Sequence, residues 1–293
     1  MEKVAEFAVV TGASQGLGKA FAETLSTKGW NLILVALPGT GLPIFAEELR
    51  RLHGSTVFAL ELDLSTASAQ QEFLAFALAE GRPVSLLVNN MGIGDNGLFD
   101  LIPIEFQRRV VDVNIQATMA ITYGLVERLA ASGGRILTVA SLAAFYPMPL
   151  FAVYAASKSF LLHWSIALRH ELSPLGISVT ALTPGGIYTS EAIREKTNSQ
   201  GFFGRLSSKE PAQVAETALR GAFAGKALVV PGFFNKTLMV IGSRSPKDMT
   251  AKAIFRRWRG ALGKVKESHD RGWFNRPAPA RGHRLAEQHH LVE

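Results

Sequence analysis

Short apolar runs, most of them continuous rather than alternating, recur along this chain. They are Ala5–Val10, Asn31–Leu37, Thr56–Leu62, Ser85–Asn89, Arg135–Ala140, Ser178–Thr183 and Ala227–Val230. A continuous apolar run of this length reads as a strand buried on both faces, as in a parallel sheet. Between the runs lie longer segments with apolar positions at helical spacing, among them Leu17–Lys28, Ile44–His53 and Ser68–Glu80. Strand, helix and strand in repetition implies βαβ units. The pattern predicts an α/β fold: a Rossmann-like, doubly wound parallel sheet of about seven strands with helices on both faces.

Composition supports one large core and narrows the chemistry. At 293 residues and 47% hydrophobic, with a mean hydropathy of +0.16, the chain is no disordered polymer. It has no Cys, which excludes a thiol nucleophile, a disulfide framework and a Cys-ligated metal. No metal site is expected. Met1-Glu2-Lys3 leads straight into the first run, and no uncharged apolar stretch reaches the ~18 residues of a membrane span. Neither a signal peptide nor a membrane span is expected, and the reading is a cytoplasmic protein.

Charge divides the chain. Residues 1–235 carry 18 Lys+Arg against 19 Asp+Glu, a net of −1, whereas residues 236–293 carry 13 against 5, a net of +8. The basic balance therefore belongs to the end of the chain, and no nucleic-acid partner is expected of the body. The expected organisation is a body over 1–235, a basic helical segment over 236–266, and a disordered tail over 267–293. The tail holds Pro277-Ala278-Pro279 and Gly282, which oppose a stable helix.

The first strand runs into Thr11-Gly12-Ala13-Ser14-Gln15-Gly16-Leu17-Gly18, and a helix follows at once. Gly12 permits a tight turn, Gly16 lets the backbone approach a pyrophosphate, and Gly18 lets the helix pack closely. The helix N-terminus offers free N–H groups and a positive dipole end to phosphate. Further on, Tyr154 and Lys158 stand four residues apart and share a helix face, 13 residues after Ser141 at the end of the fifth run. A free Tyr has a pKa near ~10, and a neighbouring ammonium lowers it toward use as an acid or base. Ser141 can hydrogen-bond a substrate oxygen. Asn114 lies in an apolar helical stretch, where its amide must find partners.

These motifs, in this order and spacing, resemble the single-domain branch of the short-chain dehydrogenase/reductase family, over roughly residues 4–235. The spacing TGxxxGxG and the Tyr-x-x-x-Lys pair carry the resemblance. It implies an oxidoreductase that interconverts a secondary alcohol and a ketone. Tyr154 would be the acid/base, Lys158 its electrostatic partner and a ribose contact, Ser141 the holder of the substrate oxygen, and Asn114 the anchor of a relay water. The implied cofactor contacts are Gly12, Ser14, Gln15, Gly16, Leu17, Gly18, Leu37, Asp63, Leu64, Asn90, Met91, Gly92, Tyr154, Lys158, Pro184, Gly185, Ile187 and Thr189. Asp63 would touch the adenine, although it also stands where a helix N-cap would. Met91 occupies a position where the family has a small residue. Homodimers or homotetramers, paired through helices around 103–131 and 151–172, are implied as well.

Two features leave the cofactor and substrate readings open. The second strand ends Val35-Ala36-Leu37-Pro38, with neither the acid that binds a ribose diol nor a base for a 2′-phosphate. Absence of the acid removes a repulsion, and Lys19 and the Gly39-Thr40-Gly41 turn could assist, so NADP(H) is placed before NAD(H). The run Ala143–Phe151 and a lid to about Ser208 carrying Phe202-Phe203 suggest an apolar pocket. The run resembles the ketoacyl-reductase and steroid-dehydrogenase branch of the family, which implies a fatty-acyl or steroid-like ketone. The same aromatics could equally pack the core or a subunit interface.

The basic segment Pro246–Lys266 reads as a helix with Ile254, Trp258, Ala261, Leu262 and Val265 on one face. Docking of that face on the protein's own body is preferred. An anionic membrane surface is the other reading, which would make the protein peripheral to a membrane. A non-catalytic cofactor sensor or a membrane-surface adaptor on the same fold is the alternative to an enzyme.

Overall fold

The computed structural model describes residues 6–94, 96–188 and 208–265, with side chains described as far as Trp258. Seven strands form one sheet: β1 (Phe7–Thr11), β2 (Asn31–Ala36), β3 (Val57–Glu61), β4 (Val84–Asn89), β5 (Arg135–Val139), β6 (Ser178–Leu182) and β7 (Leu228–Val229). Their order is β3-β2-β1-β4-β5-β6-β7, and every neighbouring pair is parallel. All seven apolar runs became strands within a residue or two of the expected ends. β7 is shorter than its run, because it is an edge strand that pairs only through Ala181↔Leu228 and Leu182↔Val229 before Pro231 turns the chain. The chain reverses direction across the sheet between β1 and β4, which opens a crevice at the carboxyl ends of those strands.

Helices cover both faces. On one side lie α1 (Gly16–Thr27), α2 (Leu42–His53) and α7 (Pro211–Phe223). On the other lie α3 (Ala67–Ala77), α5 (Thr118–Ala131) and α6 (Ala152–Leu172). Local chemistry explains their starts. Thr66 caps α3, its Oγ1 accepting from the Ala69 N–H at 3.3 Å, and prolines occupy the first turns of α2 and α7. Phe21 on one side and Phe73 on the other are fully buried, each worth about 1.5–3 kcal/mol of transfer free energy. The strands between them are buried on both faces, as their continuous apolar runs required.

Two features depart from the simple pattern. The long helix expected around Asn114 is α4 (Ile104–Val111) joined to α5 through a wider π-helical turn at Asp112–Ala117. Such turns shift a side chain's direction and often mark functional positions. The body boundary drawn at residue 235 falls inside α8 (Phe233–Arg244), which with α9 (Lys247–Val265) forms a helical arm. The arm sits against the segment after β5, a short 3₁₀ turn at Leu142–Phe145. Among the described residues, no helix is long and apolar enough to cross a membrane. The Phe202-Phe203 lid, Thr189 and the tail from residue 267 lie outside the described residues.

Candidate active site

The glycine turn sits at the crevice between β1 and β4. Gly12 has φ +66°, a left-handed conformation that any Cβ would strain, and a Cβ there would lie 3.0 Å from the Met91 Cα. Gly18 brings α1 onto the turn, where a Cβ would stand 2.0 Å from the Gly12 carbonyl oxygen. Leu17 is buried, Ser14 and Gly16 are half-buried, and Gln15 is exposed at the helix start. No side chain caps α1, and no acid lies in its first turn. A pyrophosphate fits this opening, because the helix dipole and its uncapped N–H groups favour an anion there.

Asn90 fastens the turn rather than standing free. Its Nδ2 donates to the carbonyls of Thr11 at 2.9 Å and Gly12 at 3.1 Å. Thr11 Oγ1 in turn accepts from the N–H groups of Asn90 and Met91 at 3.0 and 3.1 Å. The Met91 side chain is buried in the core beside α5, which houses the larger residue.

At the adenosine end the structure is more specific than the sequence. Asp63 accepts from the Ser65 N–H at 3.1 Å and pairs with Arg109 at 2.9 Å, while Thr66, not Asp63, is the helix N-cap. Leu64 is buried, and Leu37 is exposed just past the end of β2. One residue was missed from the sequence. Glu61, the last residue of β3, is in register with Ala36, the last of β2, and its Oε1 accepts from the Gly39 N–H at 2.9 Å. The acid absent from β2 is thus present one strand over. Only the β2–β3 register reveals this.

The catalytic candidates come together. Ser141 lies two residues past the end of β5 and caps the 3₁₀ turn, its Oγ accepting from the Ala143 N–H at 3.1 Å. Tyr154 and Lys158 lie one turn apart on α6, with the Lys158 Nζ 5.9 Å from the Tyr154 ring centroid. The Lys158 Nζ donates to the Val139 carbonyl at 2.9 Å. A Cβ on Gly92 would lie 3.0 Å from that Nζ, and one on Gly94 would lie 2.4 Å from the Tyr154 ring. Both glycines are therefore walls of the site, and the second was not singled out from sequence.

The π-helical turn delivers Asn114. Its Oδ1 accepts from the Ile93 N–H at 2.8 Å, and its Nδ2 donates to the Ile93 carbonyl and to Ser157 Oγ, each at 2.9 Å. Both amide hydrogens are engaged, which satisfies the polar group that the apolar stretch had to accommodate. Ser157, another residue not foreseen, passes the constraint on by donating to the Tyr154 carbonyl at 2.7 Å.

Electrostatics here differ from the simple expectation. Burial raises the Tyr154 phenol above its ordinary pKa, and its hydrogen bond with Ser141 opposes this less strongly. Burial also lowers the Lys158 ammonium from 10.5 to about 8. Desolvation sets the direction of both shifts, and what lowering there is of the Tyr pKa comes from Ser141 rather than from Lys158 as expected. The resting phenol keeps its proton.

A small cleft runs up to Tyr154, lined by Phe99, Ile102, Phe106, Leu150 and Phe151. Leu150 has φ +71°, an uncommon backbone conformation for a non-glycine residue, and its carbonyl accepts from the Gly97 N–H at 2.9 Å. On the other side of the site, Pro184 accepts from the Leu142 N–H at 2.8 Å, Gly185 follows it, and Ile187 packs against the core and bridges to Lys209. The arm completes the site: Trp258 meets Phe151 edge-on at 5.4 Å, and Phe151 meets Tyr154 at 6.2 Å.

Comparison with known proteins agrees with this geometry. The sequence profile of the short chain dehydrogenase family matches residues 6–201. The very-long-chain 3-oxoacyl-CoA reductase of Pyrenophora tritici-repentis is 33% identical over 212 residues, covering 66% of this chain and 58% of that protein. The 11-beta-hydroxysteroid dehydrogenase-like 3 of Arabidopsis thaliana is 31% identical over 240 residues, covering 82% and 77%. This chain spans between about half and three-fifths of the length of the 3-oxoacyl-CoA reductases it matches. Among solved structures, a short-chain dehydrogenase from Sphingobium yanoikuyae in complex with NADPH aligns with a TM-score of 0.69 at 26% identity, covering 94% and 99%. A 7beta-hydroxysteroid dehydrogenase aligns with a TM-score of 0.76 at 22% identity, covering 85% and 96%, and shares the fold.

Proposed function

The chain belongs to the short-chain dehydrogenase family, and from that premise we propose that it interconverts a secondary alcohol and a ketone on an apolar substrate, using a nicotinamide dinucleotide. The observation that carries this reading is Tyr154, hydrogen-bonded to Ser141 and one helical turn from Lys158, in the wall of an apolar cleft. The nicotinamide, when bound, supplies or takes the hydride. The Gly12–Gly18 turn and the first turn of α1 would hold the pyrophosphate. Asn90, Met91, Gly92, Lys158 and Ile187 would flank the nicotinamide half.

The residues of this chain divide the remaining work. Tyr154 holds a proton, kept there by burial, and gives it to a carbonyl oxygen. The site is thereby ready for ketone reduction. Ser141 accepts from the Ala143 N–H, and its hydrogen bond with the Tyr154 phenol sets the two hydroxyls side by side, where both can meet one substrate oxygen. The Lys158 ammonium steadies the phenolate left after transfer. Asn114 positions these groups through Ile93 and Ser157. An apolar substrate suits the Phe99–Phe151 cleft, and the relatives' names include a 3-oxoacyl-CoA reductase and a hydroxysteroid dehydrogenase-like protein.

We assign NADP(H) as the carrier. No acid follows β2, and solved relatives at 26% identity hold NADPH. A second reading, NAD(H), rests on Glu61, whose carboxylate would repel a 2′-phosphate beside Ala36. Self-association is assigned to the exposed apolar side chains Val111, Met119, Tyr123 and Phe160 on the helices flanking the site.

Replacing Tyr154 by Phe tests the proposal. Reduction of an apolar ketone should fall by about 10²–10⁴-fold, while NADPH still quenches or shifts in fluorescence on binding. Unchanged turnover in Tyr154→Phe would overturn the mechanism. Cofactor binding without turnover of any carbonyl by the wild type would favour a cofactor sensor instead.

A further inference from the structure

The arm formed by α8 and α9 has two unlike faces. Its inner face closes on the active-site segment. Tyr146 donates to the Leu238 carbonyl, and the Tyr146 ring lies so close to Gly242 that a Cβ there would stand 2.6 Å from it. Lys247 donates to the carbonyls of Phe145 at 3.0 Å and Gly242 at 2.8 Å, and Trp258 packs on Phe151. Of the face expected to dock inward, Trp258 does so, while the side chains of Ala261, Leu262 and Val265 lie outside those described.

The outer face is of a different kind. On α8, Phe233, Lys236, Val240, Ile241 and Arg244 are exposed at intervals of three and four residues, one continuous stripe. Phe233 is 86% exposed and Ile241 50%. On α9, Met249 is 68% exposed, and Lys252 and Arg256 are exposed as well. Residues 233–258 hold six Lys or Arg and a single acid, Asp248, which pairs with Lys252 at 2.6 Å. A solvated helix face does not place a Phe, an Ile and a Met in water among lysines and arginines without a partner.

We propose that this outer face docks the protein on an anionic lipid surface. Lys236, Arg244, Lys252 and Arg256 meet the headgroup phosphates, and Phe233, Ile241 and Met249 enter the boundary with the acyl chains. A second copy of the chain is the poorer occupant, because a two-fold contact would set this positive stripe against itself. The docking does not depend on the proposed reaction. If that reaction holds, the cleft beneath Trp258 opens beside a reservoir of apolar substrate.

The test uses the full chain and vesicles of phosphatidylcholine, with or without about one-third phosphatidylglycerol. Binding is read by co-sedimentation, and oligomeric state by light scattering. Wild type should bind the anionic vesicles at least about tenfold more tightly than the neutral ones. Phe233→Ser/Ile241→Ser and Lys236→Glu/Arg244→Glu should each lose about tenfold or more on the anionic vesicles, with unchanged circular dichroism. No binding by wild type overturns the proposal. Undiminished binding by both variants also overturns it, since another basic segment then carries the contact. A fall in oligomer mass in Phe233→Ser/Ile241→Ser, with no vesicle binding by wild type, assigns the face to a second copy.

Discussion

Lys158→Met should make this protein more stable at neutral pH while removing its activity. Lys158 is 4% exposed, and burial lowers its ammonium from 10.5 to about 8. At neutral pH the folded state must still carry that charge away from water. A shift of about 2.5 units costs about 3 kcal/mol. Methionine removes the charge, but it also leaves the Val139 carbonyl without the Lys158 donor, a loss of about 1 kcal/mol. The variant should therefore be more stable by about 2 kcal/mol at pH 7. The pH dependence gives the sign. Below pH 8 the lysine is protonated in both folded and unfolded states, and the penalty is constant. Between about 8 and 10.5 the unfolded chain keeps a proton that the folded chain has lost, so wild type gains on the variant by about 1.4 kcal/mol per pH unit. The difference should cross zero in that window and reverse by about 1 kcal/mol near pH 10.5. Urea unfolding followed by tryptophan fluorescence at several pH values measures it. Groups common to both proteins cancel in the difference. A difference that stays flat from pH 7 to 10.5, or a variant less stable at pH 7, would refute the reasoning.

Gly94→Ala should lower kcat by more than about tenfold with cofactor affinity intact, because the new methyl would stand 2.4 Å from the Tyr154 ring and must displace it. Stopped-time turnover and a fluorescence titration separate the two effects, and an unchanged kcat would show that the ring is free to yield. Glu61→Gln should raise NADPH affinity relative to NADH by about fivefold to tenfold, since it removes a negative charge beside the end of β2. Equal changes for both dinucleotides would show that Glu61 only braces the Gly39 turn.

Much of this site could be read from the sequence because its chemistry is local. The Gly12–Gly18 turn is strand, loop and helix in direct succession, and Tyr154 and Lys158 are one helical turn apart. Local spacing also foretold the apolar strands, since burial on both faces leaves a continuous run. What escaped depended on register and on packing between distant segments. Glu61 acquires meaning only when β3 is laid beside β2, so that it falls opposite Ala36. Ser157 looked like a helix residue between two catalytic candidates, and its bond to Asn114 spans 43 residues. Trp258 was correctly placed on an inward helix face, but its partner Phe151 lies more than a hundred residues earlier. The sign of the Tyr154 shift was misjudged for a similar reason: sequence gives the neighbouring charge, whereas burial of both groups is a property of the whole fold.

These long-range contacts converge on one place, and energetics explain why. A buried ammonium, a buried phenol and a leucine at positive φ each oppose folding at the site. They persist only where surrounding structure leaves no alternative. Asn114, drawn inward by the π-helical turn, locks the Ile93 backbone on one side of Lys158 and Ser157 on the other. Asn90 locks the glycine turn to the end of β4. The arm covers the third side through Lys247, Tyr146 and Trp258, so that Phe151 cannot swing out and Tyr154 cannot reach water by that route. The same desolvation that makes Lys158 expensive to bury keeps the phenol protonated and strengthens any charge developing beside it. The inner face of the helical arm therefore braces the candidate site, and its outer face is the one proposed to meet a lipid surface.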